Sequence, residues 1–177
     1  MTSSGLETSR FPVNNVSWND CQKFLVKVNG RVGVEKVFGK AGRFVLPHED
    51  QWEYACRGGN GNKRAYYWGD ELNGTQANCN GNYPFGTTTK GQNMERTCSV
   101  DFTNDGKYAK HPWGLCHMLG NVSQWCDNKY EKSNARIFRG GCWSDSAREC
   151  RSAGRDYTEP EGSDDMKGFR VCVSLEK

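Results

Sequence analysis

The sequence predicts a single α+β domain with short helices, short strands and much irregular structure. Its 177 residues are close to the length of one compact domain. Short segments with helical or strand periodicity are separated by stretches rich in Gly, Asn and Thr, a pattern that favours an α+β fold. The apolar share is only 35%, but it includes 6 Trp, 7 Tyr and 8 Phe, so a few large side chains can build the core. We expect a polar extension over residues 1–11 and one domain over residues 12–177.

Charge and hydropathy exclude several classes of protein. The 24 Lys and Arg residues nearly balance the 21 Asp and Glu residues, giving a net charge of +3 without a basic run, so nucleic acid is not an expected partner. No stretch approaches the roughly 18 apolar residues of a membrane-spanning helix. Residues 1–10 also lack the apolar segment of a signal peptide. We therefore expect a monomeric cytoplasmic protein without a membrane span.

Local patterns place the regular elements along the chain. A helix is predicted after residue 17, because Ser17 or Asn19 can accept hydrogen bonds in its first turn and Phe24 and Val28 recur at helical spacing. Asn29-Gly30 is expected to end it. The other predicted elements are a strand at 43–46, a helix at 48–57, a strand at 136–139 and a closing strand at 168–173. Between the helix at 48–57 and about residue 110, the sequence shows no helical periodicity.

The nine cysteines are an odd number and allow three interpretations. A disulfide-rich secreted domain is usually shorter and has an even cysteine count. A zinc site requires closely spaced pairs, whereas the nearest pair, Cys142 and Cys150, has seven residues between its members. These observations favour reduced, mostly buried thiols, while one or two disulfides stay open as an alternative.

Seven ordered sequence blocks resemble one known family. They cover nearly the whole chain from Pro12 onward and read PVNNVSW (12–18), FVLPHEDQWEYACRGG (44–59), YYWGD (66–70), QANCNGNYPFG (76–86), HPWGLCHMLGNVSQWC (111–126), RIFRGGCW (136–143) and CRSAGRD…GFRVC (150–172). This order is similar to that of the formylglycine-generating-enzyme family, also called the sulfatase-modifying-factor domain. The resemblance implies a C-type-lectin-like fold, in a version that is shortened at its N-terminus.

The same resemblance implies structural roles for many aromatic and basic residues. Large aromatic side chains are expected in the core, at Trp18, Trp52, Tyr54, Trp68, Trp113, Trp125 and Trp143. Four arginines are expected to tie loops to backbone carbonyls or carboxylates, because a guanidinium group can donate two parallel hydrogen bonds. These arginines are Arg57, Arg139, Arg155 and Arg170.

Catalysis is not expected from the residues present. The resemblance implies that members making formylglycine bind copper through two cysteines in C-x4-C spacing after a Gly-Gly turn, and thiolates are suitable ligands for Cu(I). Here Cys142 follows Gly140-Gly141, and no C-x4-C pair exists. The alternative is a copper-dependent formylglycine-generating oxidase that acts on a sulfatase-type cysteine and binds copper through Cys142 and Cys150. A second branch of the family binds iron through three histidines, whereas the three histidines here are not closely spaced, at His48, His111 and His117.

Calcium is the other metal that the resemblance brings into question. The family builds calcium sites from carboxylates and backbone carbonyls, the oxygen ligands that this ion prefers. At one site His117 and Gln124 stand where the family has Asp and Glu, so both anionic ligands are lost. At the other site the Asn78 side chain and the Cys79 carbonyl remain, and Glu95 is the nearest candidate acid. Asn78 and Cys79 are therefore the candidate calcium ligands.

The resemblance extends to the variable proteins of diversity-generating retroelements, which use this scaffold to display variable side chains to a ligand. The frame from Arg139 to Arg170 matches theirs. Its open positions hold small polar residues and a tyrosine, which suit an adaptable recognition surface. Five residues in this stretch cannot arise from adenine-directed variation of Asn codons and argue against such an origin: Glu149, Glu159, Glu161, Met166 and Lys167.

We therefore predict a module that binds a protein or peptide ligand through this segment. Residues 156–165 carry five acids and no base. Such a loop is either only solvated, or contacts a basic partner, or binds a cation weakly, and it repels nucleic acid. The predicted contact residues are Trp143, Ser144, Asp145, Ser146, Arg148, Glu149, Asp156, Tyr157, Thr158 and Glu159.

Overall fold

The computed structural model describes residues 8–103 and 106–176, and within these ranges it contains helices and strands in the mixed order of an α+β fold, as predicted. The helices are α1 (Trp18–Arg31), α2 (Val34–Phe38), α3 (Glu49–Cys56) and a 3-10 helix (Val100–Thr103). The strands are β1 (Gly42–Val45), β2 (Ser123–Lys129), β3 (Arg136–Arg139), β4 (Arg155–Thr158), β5 (Lys167–Phe169) and β6 (Cys172–Leu175). Across the described residues, no helix combines the length and apolar character that spanning a lipid bilayer requires.

A four-stranded sheet in the order β4-β3-β2-β5 forms the centre of the molecule. β2 pairs with β3 in antiparallel orientation, with Trp125 opposite Phe138, and it pairs with β5 in parallel orientation. β4 adds antiparallel to β3, with Tyr157 opposite Ile137. A separate two-stranded sheet joins β1 to β6. Because β2 lies between β3 and β5, segments that are distant in the sequence meet around it.

Two apolar layers cover the two faces of the four-stranded sheet. Alternate residues along a strand point to opposite faces. Cys126 and Ile137 therefore pack in one layer with Trp52, whereas Trp125 packs in the other layer with Leu25 of α1. Trp52 and Trp125 are both fully buried, so each layer has one large tryptophan at its centre, as predicted for these two residues.

The first helix begins where the sequence predicts it. Ser17 Oγ accepts from the Asp20 N–H (3.1 Å), and the Asp20 carboxylate accepts from the Ser17 N–H (3.3 Å), which together form a capping box. The helix continues to Arg31 instead of ending at Asn29-Gly30. The Asn29 side chain is engaged elsewhere, since it donates to the Phe44 carbonyl (2.9 Å) and accepts from the Phe44 N–H (2.8 Å). Asn29 thereby ties α1 to β1.

The closing strand predicted over 168–173 is wrong as one element, because it is divided into β5 and β6. The division falls at Arg170, whose guanidinium donates to Gln124 Oε1 (3.0 Å) and to the Cys116 carbonyl (2.6 Å). These contacts confirm Arg170 as a structural tie. Beyond them the chain leaves the four-stranded sheet and pairs with β1 instead.

Four further elements are not predicted by the sequence patterns, namely the 3-10 helix, α2, β2 and β4. α2 has only five residues, which is too short for a helical period to be recognised. β2 is buried on both faces over its first four residues, so it lacks the alternation of polar and apolar residues that marks a half-buried strand. β4 lies at the edge of the sheet and is mostly exposed, so it too carries no apolar signal.

The prediction of a core position is wrong for two aromatic residues, because they lie at the surface. Tyr54 and Trp113 are 48% and 50% exposed, and their rings pack edge to face with centroids 5.6 Å apart. Tyr54 is two residues from the buried Trp52 on α3, a spacing that places the two side chains on opposite faces of a helix. The remaining expected core tryptophans are half-buried, namely Trp18, Trp68 and Trp143.

Two further arginines make the structural contacts predicted for them, and most of the cysteines are buried as predicted. Arg57 pairs with Glu53 and donates to the Asn62 carbonyl (3.1 Å), and Arg155 pairs with Glu49 (2.8 Å). Seven of the nine cysteines are buried. The expected burial of most cysteines is therefore confirmed, whereas their reduced state stays a prediction.

Candidate functional site

A cleft of about 480 Å³ opens beside β3 and β4, along the segment that the sequence predicts as the contact surface. Its walls are the turn that follows β3, the loop that leads to β4, and the start of β5. Concave sites of this size are where proteins usually bind ligands. Four of the predicted contact residues line it: Asp145, Arg148, Glu149 and Asp156.

The first wall is a turn that requires glycine. Gly140 and Gly141 have φ angles of 98° and 68°, a left-handed conformation that other residues rarely adopt. A Cβ atom on Gly140 would lie 2.6 Å from the Met118 carbonyl oxygen, and one on Gly141 would lie 2.6 Å from the Cys150 sulfur. The Gly120 N–H donates to the Gly140 carbonyl (2.8 Å). The turn is therefore packed tightly against the loop that precedes β2.

The opposite wall is held by one buried guanidinium group. Arg139 is 2% exposed and donates to the carbonyls of Ser152 (3.3 Å) and Ala153 (3.0 Å), as well as to that of Gly154. It also pairs with the carboxylate of Glu53 on α3. Arg139 thus ties this wall to β3 and α3, which confirms the structural role predicted for it.

Charged side chains of both signs face the cleft. The Asp145 carboxylate accepts from the Cys142 N–H (2.9 Å). Burial raises the pKa of Asp145 above its ordinary value, and the negative charges of Glu149 and Asp156 raise it further. In the part of the chain that the structure describes, no ion pair joins these three carboxylates to a cation. The cleft therefore holds three carboxylates without an ion pair among the described residues, in a lining that also contains five basic residues: Arg139, Arg148, Arg151, Arg155 and Lys167.

Three predicted contact residues lie away from the cleft. Tyr157 alternates with Asp156 along β4, so its side chain points to the opposite face. There its ring stacks on Tyr130, with centroids 3.6 Å apart. Thr158 ends β4, and Glu159 follows it as an exposed residue. Tyr157 and Tyr130 therefore form a second surface on the outer side of β4.

The other three predicted contact residues take part in the packing of the wall. The Ser144 hydroxyl lies 3.2 Å from the Cys142 sulfur. The Ser146 hydroxyl donates to the Glu149 carboxylate, and Trp143 is half-buried. Ser144 and Ser146 therefore shape the cleft, and their hydroxyl groups already have partners within the chain.

The structure adds cations that the sequence patterns do not single out as site residues. Arg151 and Lys167 line the cleft. Arg151 Nε donates to the Arg148 carbonyl (2.9 Å), whereas Lys167 pairs with Asp164 and lies 5.1 Å over the ring of Phe138. Lys167 reaches the cleft because β5 pairs with β2, and this long-range pairing leaves no local signal in the sequence.

The alternative copper ligands lie behind the glycine turn. Cys142 and Cys150 are 1% and 0% exposed. Burial raises the pKa of Cys142 to about 12, and a hydrogen bond with the Cys79 thiol together with burial raises the pKa of Cys150. Metals bind the thiolate form, which these pKa values disfavour at neutral pH. Among the described residues, no group of three or more His, Cys, Asp and Glu is arranged to hold a metal ion.

The predicted calcium ligands are buried, and one oxygen atom among them lacks a partner. Asn78 Nδ2 donates to the Arg96 carbonyl (2.9 Å) and to Asn121 Oδ1 (3.2 Å), whereas Asn78 Oδ1 is buried without a hydrogen bond. This oxygen fits one ligand of a cation. Calcium needs six to eight oxygen ligands, and Glu95, the nearest candidate acid, is exposed. A calcium site at Asn78 and Cys79 stays a prediction.

Known proteins resemble this chain over almost its whole length. Residues 3–175 match the sulfatase-modifying factor enzyme 1-like domain. The chain is 28% identical to the inactive C-alpha-formylglycine-generating enzyme 2 of Bos taurus, over 95% of this chain and 52% of that protein. It is 29% identical to the formylglycine-generating enzyme of Streptomyces coelicolor, over 91% of this chain and 52% of that enzyme. The chain therefore spans about half the length of these curated relatives.

Solved structures share the architecture. The crystal structure of CarF is 26% identical and has a TM-score of 0.70, over 98% of this chain and 71% of that chain. Treponema denticola variable protein 1 is 19% identical and has a TM-score of 0.66, over 99% of this chain and 75% of that chain. Because the Treponema protein is only 19% identical to this chain, its likeness shows the fold alone. Both comparisons confirm the fold that the sequence resemblance implies.

Proposed function

We propose that this chain, which belongs to the sulfatase-modifying factor enzyme 1-like domain family, is a non-catalytic module that binds a protein or peptide ligand. The observation that carries the proposal is the 480 Å³ cleft, which presents Asp145, Glu149 and Asp156 between two fixed walls. One wall is the glycine turn, and the other is held by Arg139. Polar side chains presented from loops by a rigid frame are the usual arrangement for recognition.

The three carboxylates of the cleft that lack an ion pair among the described residues favour a ligand that inserts a basic side chain, since three of the basic lining residues, Arg139, Arg155 and Lys167, already have acidic partners. Glu149 and Asp156 raise the pKa of Asp145, which means that each of them repels the Asp145 carboxylate. A Lys or Arg side chain of a peptide would neutralise them through charge-assisted hydrogen bonds. The exposed Arg148 offers a further contact, to a carbonyl or carboxylate group of the same ligand.

The contact surface extends over the outer side of β4 in this proposal. Tyr157 is 47% exposed and is supported from behind by the stacked ring of Tyr130. A rigid aromatic side chain supplies a large contact area at low entropic cost. The remaining predicted contact residues stay part of the proposed contact surface: Trp143, Ser144, Ser146, Thr158 and Glu159.

We do not extend the proposal to diversification by a retroelement. The fold shared with the Treponema protein supports a common scaffold. Glu149, however, lines the cleft, and adenine-directed variation of Asn codons does not produce glutamate. At least one residue that lines the cleft, Glu149, is therefore one that such variation would not have created.

Substitutions in the cleft test the recognition proposal. Peptides selected by phage display against the wild-type protein are expected to bind the Asp156→Asn and Glu149→Gln variants about tenfold more weakly or worse, since each variant removes one charge-assisted contact. Fluorescence anisotropy of the labelled peptides measures the loss. Asp156 and Glu149 are exposed, so both variants are expected to fold normally. Lys27→Gln, an exposed position on α1, is the matched control.

Two results would contradict recognition in the cleft. One is a selection that enriches no peptide, and the other is a set of peptides that bind the cleft variants as tightly as the control. Tyr157→Ala and Asp145→Ala complete the series. Both are expected to weaken binding, and an effect of Tyr157→Ala alone would move the contact surface to the outer side of β4.

A copper-dependent oxidase is the second candidate function. It is favoured by the position of Cys142 and Cys150 behind the cleft, in a chain 29% identical to a protein named formylglycine-generating enzyme. Incubating the protein and Cu(I) with a sulfatase-type cysteine peptide is expected to leave the peptide mass unchanged, because burial disfavours the thiolate form of Cys142. Mass spectrometry decides the point. Loss of the thiol from the peptide, abolished by Cys142→Ser, would overturn the proposal of a non-catalytic module.

A further inference from the structure

Three consecutive carbonyl groups converge on one buried spot in the loop before β2. The Cys116 carbonyl accepts from Arg170 Nη2 (2.6 Å). The next two carbonyls, those of His117 and Met118, accept from the same nitrogen, Gln124 Nε2, at 2.9 and 3.3 Å. His117 has a φ angle of 48°, a left-handed conformation that reverses the chain locally. Two neighbouring oxygen atoms are thereby brought onto one donor.

The other end of the Gln124 side chain is equally engaged. Gln124 Oε1 accepts from Trp52 Nε1 (2.9 Å) and from Arg170 Nε (3.0 Å). A glutamine amide has two N–H donors and one oxygen with two lone pairs, and here each of these has a partner. Gln124 is 2% exposed. The amide is therefore a complete four-bonded junction between α3, β2, the loop and the segment that follows β5.

A ring of converging carbonyl oxygens is typical of sites for hard cations such as calcium, and the sequence resemblance implies calcium near this block. The residues present do not fit it. The carbonyl oxygens are occupied by N–H donors of Gln124 and Arg170, and neither side chain carries the negative charge that would balance a cation. The His117 side chain turns away, with Nε2 lying 3.1 Å from the Ser99 carbonyl, so it supplies no oxygen.

We propose that the Gln124 amide and the Arg170 guanidinium take the place of a divalent cation, so that the loop before β2 is held without metal. The consequence reaches the cleft. The Met118 carbonyl lies against Gly140, where a Cβ atom would approach it to 2.6 Å, and the neighbouring Gly120 N–H donates to Gly140. The glycine turn that walls the cleft is thus positioned by an amide junction that does not depend on calcium.

The Gln124→Glu substitution tests this inference. It keeps an oxygen for Trp52 and Arg170 but turns a second oxygen toward the carbonyls of His117 and Met118, a repulsion that a bound cation relieves at a pH where the carboxyl group is ionised. The melting temperature of the variant in EDTA is expected to fall by about 5 °C or more, and calcium is expected to recover most of it. The wild-type melting temperature is expected to be the same in EDTA and in calcium.

Two further variants make the result decisive. Gln124→Met has no ligand oxygen, so it is expected to be destabilised equally in EDTA and in calcium. Asn78→Ala is added to each protein, so that calcium at the separate Asn78 position does not enter the comparison. If Gln124→Glu does not fold in EDTA, its refolding yield on adding calcium is measured instead.

Two outcomes would overturn the inference. Wild-type protein that loses stability in EDTA, with the loss kept in the Asn78→Ala background, would show that a cation already holds the loop. A Gln124→Glu variant that responds to calcium no more than Gln124→Met would show that the amide does not occupy a cation position.

Discussion

Replacing Arg139 with methionine is expected to lower the free energy of unfolding by about 3 kcal/mol, because it removes several hydrogen bonds of a buried guanidinium group, each of which contributes about 1 kcal/mol or more. Arg139 is 2% exposed, pairs with Glu53, and lies over the ring of Trp52 at 5.3 Å. Its removal leaves the carbonyls of the cleft wall without donors, at Ser152, Ala153 and Gly154. Ser152 is fully buried, so its unpaired carbonyl adds to the loss.

Urea unfolding followed by tryptophan fluorescence measures this loss. The matched control is Arg10→Ala, which breaks the pair between Arg10 and Asp101 (2.7 Å), where the two side chains are 64% and 32% exposed. An exposed pair of this kind contributes little to stability. Arg139→Lys is expected to be nearly as unstable as Arg139→Met, because an ammonium group cannot reach all the acceptors at once. An Arg139→Met variant no less stable than the Arg10→Ala control would refute the assigned role.

Stability is also expected to fall as the pH drops from about 6.5 to about 4 because of His117. Burial, together with the charge of Arg170, lowers the pKa of His117 to about 4, although a hydrogen bond to the Ser99 carbonyl opposes this shift. An unfolded histidine has a pKa near 6.5. Between these two values the unfolded chain binds a proton that the folded chain does not bind. The contribution is therefore fully present above about pH 6.5, and its loss reaches at most about 3 kcal/mol near pH 4.

Comparison with His117→Gln isolates this contribution. Glutamine does not titrate, so the variant is expected to lose less stability than the wild type between pH 7.5 and pH 4.5, with urea midpoints as the measurement. Burial also lowers the pKa of His111 and raises that of Asp145, but these groups are present in both proteins and cancel. Equal pH dependence of the two proteins would show that His117 is not buried in its neutral form.

The parts of the fold that the sequence predicts are those decided by neighbouring residues. The Ser17 cap and the start of α1 follow from contacts within one helical turn. The wrong prediction that Tyr54 lies in the core also has a local origin. The sequence block over residues 44–59 resembles a family block with core aromatics, whereas helix geometry turns the Tyr54 side chain away from that of Trp52. The division between β5 and β6 could not be predicted, because it depends on the contact of Arg170 with Gln124, which is distant in the sequence.

The candidate site shows the same limit. Asp145, Glu149 and Asp156 are found from the open positions of one segment, and they do line the cleft. Tyr157 belongs to the same segment but faces the other way, because β4 is a strand whose alternate residues diverge. Lys167 joins the cleft only through the parallel pairing of β5 with β2. The order of residues in the sequence locates the contact segment, whereas the pairing of strands decides which side chains of that segment, and of β5, face the cleft.

The amide of Asn29 has a consequence for how molecules of this protein meet one another. A strand at the border of a sheet exposes unpaired N–H and C=O groups, which can add a strand from another molecule and start aggregation. β1 pairs with β6 on one side. Asn29 takes both the N–H and the C=O of Phe44, groups that would otherwise be open to such an addition. One side chain of α1 therefore blocks the middle of a four-residue strand against intermolecular pairing.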